Sequence, residues 1–469
     1  MQGLVSRAYG QLPCARYLLC SVADPAAART WLGQVAPGVS TAADRDEGCA
    51  LLVAFTYAGL AALGLDDESL ATLPRPLHEG MVTAHRSRIL GDTGPSDPSG
   101  WRWGGPANPA IHLLVVIYAP DEAELERELG ERRKAFAGAL AEVGPPIDGL
   151  LNGGTEHFGF ADGLSQPVIK GWPRRTASVR PAAPPPPTKW EEVNPGEILL
   201  GYPDNYEKPA EGPTVAGRGD ARSLLPVAPW APGRRHLGHN GSFLVFRQLA
   251  QDVPAFRRFT GAASQASAVR GTPLSAEKVG AKMIGRWPSG AALAVSPDAD
   301  PGEAGTNDFG YHDDDQAGFK CPAGAHVRRS NPRDSSSESA DKALVSSKNH
   351  RVLRRGRPYG LPLVDPPTKP GEEAGADRGL LFLCLNSDFE RQFEFVQHTW
   401  LDNGFFAGLC GEVDPVVGPQ PAGGGILTVP DAPVRRRFTG VERFVTTVGG
   451  AYFFLPGIRA LRYLASLDG

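Results

Sequence analysis

Ala15-Arg16-Tyr17-Leu18-Leu19-Cys20-Ser21-Val22 runs directly into Ala23-Asp24-Pro25-Ala26-Ala27-Ala28-Arg29-Thr30-Trp31-Leu32. The first stretch is apolar and short, as a buried strand is; Asp24 is a helix cap, and Pro25 fits the first helical turn, where its missing N–H costs nothing. The pattern recurs three times. His112 to Tyr118 leads through Pro120-Asp121 into Glu122-Ala123-Glu124-Leu125-Glu126-Arg127, and Ser242 to Phe246 leads through Asp252-Val253-Pro254 into Ala255-Phe256-Arg257-Arg258-Phe259. Leu380 to Leu385 leads through Ser387-Asp388 into a helix reaching Trp400, with Phe389, Phe393, Val396 and Trp400 on its apolar stripe. Two strand–helix units in each half predict a duplicated α+β arrangement with antiparallel sheets, not the steady alternation of a doubly wound parallel fold.

The bulk properties leave room for such a duplication. A chain of 469 residues exceeds what one hydrophobic core supports, and a boundary near Gly233 divides it into 1–233 and 234–469. A net charge of −4 and a pI near 6.2 offer no basic face to nucleic acid, and 41% hydrophobic residues with mean hydropathy −0.24 describe a water-soluble protein. Met1 to Arg7 lacks a charged segment followed by an apolar one, and no run approaches the roughly eighteen apolar residues of a membrane span. The cytoplasm is therefore the expected location, with no membrane partner. Six scattered cysteines without a Cys-x-x-Cys pair indicate neither a disulfide framework nor a zinc site. The segment Arg174 to Pro195, with Pro181-Ala182-Ala183-Pro184-Pro185-Pro186-Pro187, reads as an extended surface loop. Asp298 to Asp315 is acidic and Gly-rich, but its aspartates do not follow a calcium-ligand spacing, so it reads as a solvated loop.

Two stretches carry chemistry. In Gly159-Phe160-Ala161-Asp162-Gly163, the glycines allow a tight turn that holds one carboxylate outward beside a ligand. In Cys321-Pro322-Ala323-Gly324-Ala325-His326-Val327-Arg328-Arg329-Ser330-Asn331-Pro332-Arg333-Asp334, a histidine sits among small residues ahead of a cationic run, which suits an axial imidazole near propionate-binding arginines.

These residues resemble the dye-decolorizing peroxidase family, with its Gly-x-x-Asp-Gly turn, proximal histidine and distal arginine. The likeness extends to Phe55-Thr56-Tyr57-Ala58-Gly59-Leu60, Gly196-Glu197-Ile198-Leu199-Leu200-Gly201-Tyr202-Pro203, Asn307-Asp308-Phe309 and Arg351-Val352-Leu353-Arg354-Arg355-Gly356-Arg357-Pro358-Tyr359-Gly360, and the length is that of larger members. The resemblance implies paired ferredoxin-like domains and a haem b cofactor. It further implies reduction of hydrogen peroxide to water through a ferryl intermediate, at the expense of a phenolic or dye-like aromatic donor, in a monomer or small homo-oligomer. It assigns His326 to the iron, Asp162 to proton transfer in peroxide cleavage, Arg354 to the distal side and Arg333 to a haem propionate. Gly356 stands where family members carry an asparagine, so no amide donor is expected there.

Several readings compete. Cys321 is the alternative thiolate ligand, and His157 the alternative distal base. Asp162 also reads as a helix cap. Alternation puts Leu380 and Phe382 on one strand face, fit for a dry distal wall or for plain core packing. Glu394, or less readily Glu390, is positioned to accept the second ring N–H of His326. Trp400 and surface tryptophans such as Trp190 suit electron relay, although packing explains aromatics equally well. An iron-extracting haem enzyme and a non-enzymatic haem carrier remain the rival functions.

Overall fold

The computed structural model describes residues 1–43, 48–151, 153–172, 188–268 and 273–467. The proline-rich run 181–187 lies outside them.

One antiparallel sheet of ten strands spans the molecule. Its N-terminal half is built from β1 (Cys14–Val22), β2 (Ala50–Phe55), β3 (Leu113–Ala119) and β4 (Leu140–Glu142), in the spatial order β2-β3-β1-β4. Its C-terminal half is built from β5 (Ser242–Gln251), β6 (Leu353–Arg354), β7 (Gly379–Asn386) and β8 (Val445–Leu455), in the order β6-β7-β5-β8. The two orders are the same, each running second-third-first-fourth in chain order, so the chain is a duplicated ferredoxin-like α+β fold. The halves meet where β8 pairs with β2 at Phe454 and Phe55.

All four sequence-predicted strand–helix transitions are present, each with its aspartate cap. Asp24 accepts from the Ala27 N–H at 2.7 Å, Asp121 from Glu124 at 2.9 Å, Asp252 from Ala255 at 2.9 Å and Asp388 from Arg391 at 3.0 Å. The helices that follow are Pro25–Val35, Glu122–Phe136, Val253–Ser267 and a segment wound as π-helix over Phe389–Glu394 and Val396–Leu401. Such winding adds a residue per turn and is found at functional sites.

Every residue of β3 is buried, because both sheet faces are covered. Leu18, Val53, Val115 and Ile117 pack beneath Trp31, Leu32 and Phe136, while Tyr17, Leu52, Val116 and Tyr118 share the opposite core with Phe246, Leu383 and Phe453. The expected boundary at Gly233 falls inside a small two-stranded sheet, Thr214–Ala216 with Arg234–His236. The ends of the chain also cross the divide: Gln2 Nε2 donates to the Pro456 carbonyl at 2.9 Å, and helix Ile458–Ala465 meets helix Pro25–Val35 at Gly33. Among the described residues, no helix is long and apolar enough to cross a membrane.

Candidate active site

Gly159 and Gly163 adopt φ of 99° and 78°, which L-residues rarely reach, so the turn between them requires glycine. Asp162 closes it, its N–H bonded to the Gly154 carbonyl at 3.0 Å and its Oδ1 accepting from the Gly163 N–H at 2.6 Å. Oδ2 is thereby left for other partners. Glu156 clamps the turn from behind: its carboxylate accepts from the N–H of Phe158 and of Phe160, and from Gln251 Nε2 at the end of β5, at 2.7–2.9 Å.

Asp162 lines a cavity between the C-terminal half of the sheet and the helices over it, shared with His326, Arg354, Leu380 and Phe382. Arg354 Nη1 stands 3.6 Å from Asp162 Oδ1, an ion pair without a tight hydrogen bond. Strand alternation separates the neighbouring arginines. Arg355 points to the opposite face, where its guanidinium donates to the carbonyls of Leu4 and Val5. Leu380 and Phe382 face the cavity, whereas Leu381 and Leu383 are fully buried on the other side. At Gly356 a Cβ would come within 2.5 Å of the Leu381 carbonyl oxygen, so a side chain there would need the backbone to move.

His326 opens the short helix His326–Ser330, with one ring edge toward the cavity. Its Nδ1 donates to Asp414 Oδ2 at 2.9 Å. Asp414 is fully buried, and its Oδ1 accepts from the N–H groups of Val416 and Val417, both at 2.9 Å. Burial opposes an imidazolium, but the charge and hydrogen bond of Asp414 outweigh it and raise the pKa of His326. Burial likewise opposes the Asp414 anion, yet His326, Arg329 and the Val417 N–H hold its carboxyl below the usual range. With Nδ1 committed to this carboxylate, Nε2 is the free donor atom facing the cavity.

The cavity's cations come from elsewhere than the arginine run after His326. Arg351 and Arg286 line it. Arg351 donates to the Ser165 carbonyl at 3.1 Å, and burial, with the charges of Arg333 and Arg354, pushes it down to about 9. Arg286 donates to the Gly290 carbonyl and to Asn307 Oδ1, and burial lowers it too.

Several expectations are corrected here. Arg333 does not line the cavity: it is buried over the Phe309 ring, donating to the carbonyls of Asn307 and Phe309. Arg328 and Arg329 are also spent on backbone carbonyls, those of Asp315 and Cys321 and those of Gly324 and Trp400. Five fixed donors make a buried arginine an efficient staple for loop carbonyls, which explains the run without a ligand. Glu394 does not reach His326; it is buried in a pair with Arg86 and a hydrogen bond to Tyr452, while Glu390 also pairs with Arg86. His157 Nε2 bonds the Tyr359 carbonyl at 2.8 Å, outside the cavity. Burial pushes the Cys321 thiol up to about 11, the reverse of what a thiolate ligand needs. Trp190 and Trp400 are each only 7% exposed, so neither is a surface residue.

Asp414, Arg351, Arg286 and Glu156 were missed in the sequence. Arg351 had a signal, three residues before Arg354 in the same run. Asp414 had none, since it lies 88 residues beyond His326 in a loop.

No family model matches the chain. Among curated proteins, it is 30% identical over 439 residues to a dye-decolorizing peroxidase of Exidia glandulosa, covering 88% of this chain and 75% of that protein. It is also 30% identical over 417 residues to a multifunctional dye peroxidase of an Amycolatopsis species, covering 82% and 81%. A solved dye-decolorizing peroxidase in complex with 2,6-dimethoxyphenol matches 99% of both chains, with TM-score 0.77 and 27% identity. The chain therefore belongs to the dye-decolorizing peroxidase family. It is a haem-dependent oxidoreductase that acts on hydrogen peroxide and oxidises an electron donor.

Proposed function

We propose that the cavity would hold haem b through His326 Nε2, and that Asp162 and Arg354 serve peroxide cleavage within it. One arrangement supports this reading above all: an imidazole whose Nδ1 is fixed by a buried carboxylate shares a cavity with an outward aspartate–arginine pair. The donor set fits the cofactor, and three guanidiniums, Arg286, Arg351 and Arg354, suit a ligand with two propionates.

Bound haem supplies the iron at which peroxide is split and through which oxidising equivalents reach a donor. The chain's residues supply the proton chemistry. Asp162 Oδ2 takes a proton from the proximal oxygen of peroxide and returns it to the departing one. The Arg354 guanidinium stabilises negative charge on that leaving oxygen. Leu380 and Phe382 exclude water, which strengthens both interactions. Asp414 keeps His326 in the tautomer that presents Nε2. In place of the expected propionate partner Arg333, Arg351 and Arg286 are the residues assigned to the propionates. Phenolic and dye-like aromatics are the proposed donors. An iron-extracting enzyme or haem carrier would need His326 but neither Asp162 nor Arg354.

Haemin titration tests the assignment. The parent should develop a Soret band that saturates at equimolar haem and shifts on rapid mixing with peroxide. His326→Ala should weaken haem retention by far more than the roughly 10–100-fold effect of losing a supporting residue. Normal haem content and activity in that variant would overturn it.

A further inference from the structure

Glu394 is buried yet plays no part in holding His326. One of its oxygens, Oε1, accepts from Tyr452 Oη at 2.7 Å, and Oε2 pairs with the buried Arg86. A neutral acceptor would satisfy a buried phenol at lower desolvation cost than an anion that needs its own buried cation. The burial of Tyr452 and the adjacent charge of Glu394 hold the phenol's pKa well above its ordinary value, so it does not ionise by losing a proton alone.

Three features distinguish this phenol. It has a base in contact, whereas Tyr17 and Tyr118, equally buried, are bonded to no carboxylate. The base is joined to the surface, because Arg86 also pairs with Glu79 and with Glu390, whose side chain is 58% exposed. Finally, Tyr452 is one aromatic ring from the active site: Phe393 lines the cavity, with its ring centroid 6.3 Å from that of Tyr452 and 6.0 Å from that of the cavity residue Phe382.

We infer that Tyr452 is a redox-active tyrosine, giving one electron by way of Phe393 to the peroxide-oxidised haem site while its hydroxyl proton crosses to Glu394. The inference rests on the haem peroxidase reading, which supplies the oxidant. In the step, the Oη–H bond breaks and an Oε1–H bond forms on Glu394. The cofactor is reduced by one equivalent, and a neutral phenoxyl radical remains. One electron from a donor and return of the proton restore the pair. The site stores an oxidising equivalent inside the sheet while donor is scarce.

The test is freeze-quench electron paramagnetic resonance of the holoenzyme mixed with peroxide and no donor. A radical signal should appear and should narrow when the protein carries ring-deuterated tyrosine. Tyr452→Phe should lower it several-fold at unchanged haem content, and Tyr17→Phe should leave it intact. Glu394→Gln, which keeps an acceptor but cannot take the proton, should also lower it. If either variant loses haem, electron–nuclear double resonance on the parent decides: a radical bonded to protonated Glu394 shows an exchangeable proton coupling that disappears in D2O. An undiminished signal in Tyr452→Phe, or a parent radical without that coupling, overturns the inference. Failure to bind haem at all would sink the peroxidase reading instead.

Discussion

In the N-terminal half, the sheet face beneath helices Pro25–Val35 and Glu122–Phe136 carries Leu18, Cys20, Leu51, Val53, Leu113, Val115 and Ile117 closed over by Trp31, Leu32 and Phe136, with Arg16 on the same face neutralised by Glu122 and Glu126 of the second helix. In the C-terminal half, the same face begins with Val245, Cys384 and Tyr452, then passes to Arg247, Leu249, Leu380, Phe382 and Thr447, which border the cavity. Both halves share one strand order and one set of caps. What separates a packed core from an active site is therefore the composition of one sheet face and the loops that cover it. The C-terminal face carries guanidiniums and half-buried apolar residues that side chains alone do not fill.

The sharpest way to break this comparison is at the polar residues. Asp162→Asn keeps the turn but removes the group proposed to move the proton, and stopped-flow mixing with peroxide should show intermediate formation slowed by about 10²–10⁴-fold. Arg354→Leu should slow it by at least a comparable factor, since no side chain at Gly356 can replace its charge. Arg355→Leu should leave the rate near the parent's, because that guanidinium serves the Leu4 and Val5 carbonyls. The reverse order for the two arginines would mean the wrong one has been assigned to the cavity.

A smaller effect is expected one shell out. Asp414→Asn should lower haem affinity by about 10–100-fold, read by competition for haemin with an apoglobin. Parent-like affinity would show that the His326–Asp414 bond is incidental.

The last pair compares the two faces directly, through stability with little expected change in peroxide chemistry. Leu18→Ala, in the filled half, should cost about 2–5 kcal/mol in urea unfolding and leave the haem spectrum unchanged. Leu380→Ala should cost a fraction of that, because its side chain already borders a cavity, yet should alter the spectrum of bound haem. Equal stability losses would mean that the C-terminal face packs as tightly as the N-terminal one.

Much of the fold was legible. Four short apolar runs, each followed by Asp and a helical pattern, are local signals, and local hydrogen bonds at Asp24, Asp121, Asp252 and Asp388 carry them out. That Asp162 and Arg354 would face a common cavity was legible for related reasons. The glycines around Asp162 enforce a turn that depends on few distant contacts, and strand alternation parts Arg354 from Arg355. The arginine run after His326 misled, since a guanidinium's partner depends on which carbonyls the fold leaves unpaired. For Arg328, Arg329 and Arg333 these come from loops and from helix ends, some as far away as Trp400.

The sequence by itself determined the strand–helix repeats, their caps, the Asp162 turn and the residue types needed for haem chemistry, because each depends on neighbours a few positions away. Only the tertiary structure decided that Asp414 rather than Glu394 holds His326, that Arg351 and Arg286 rather than Arg333 face the cavity, and that Glu394 serves Tyr452. Those pairings join residues far apart in the chain. Buried polar atoms must find partners wherever the packed elements bring them, and that depends on how the whole sheet and its covering loops come together.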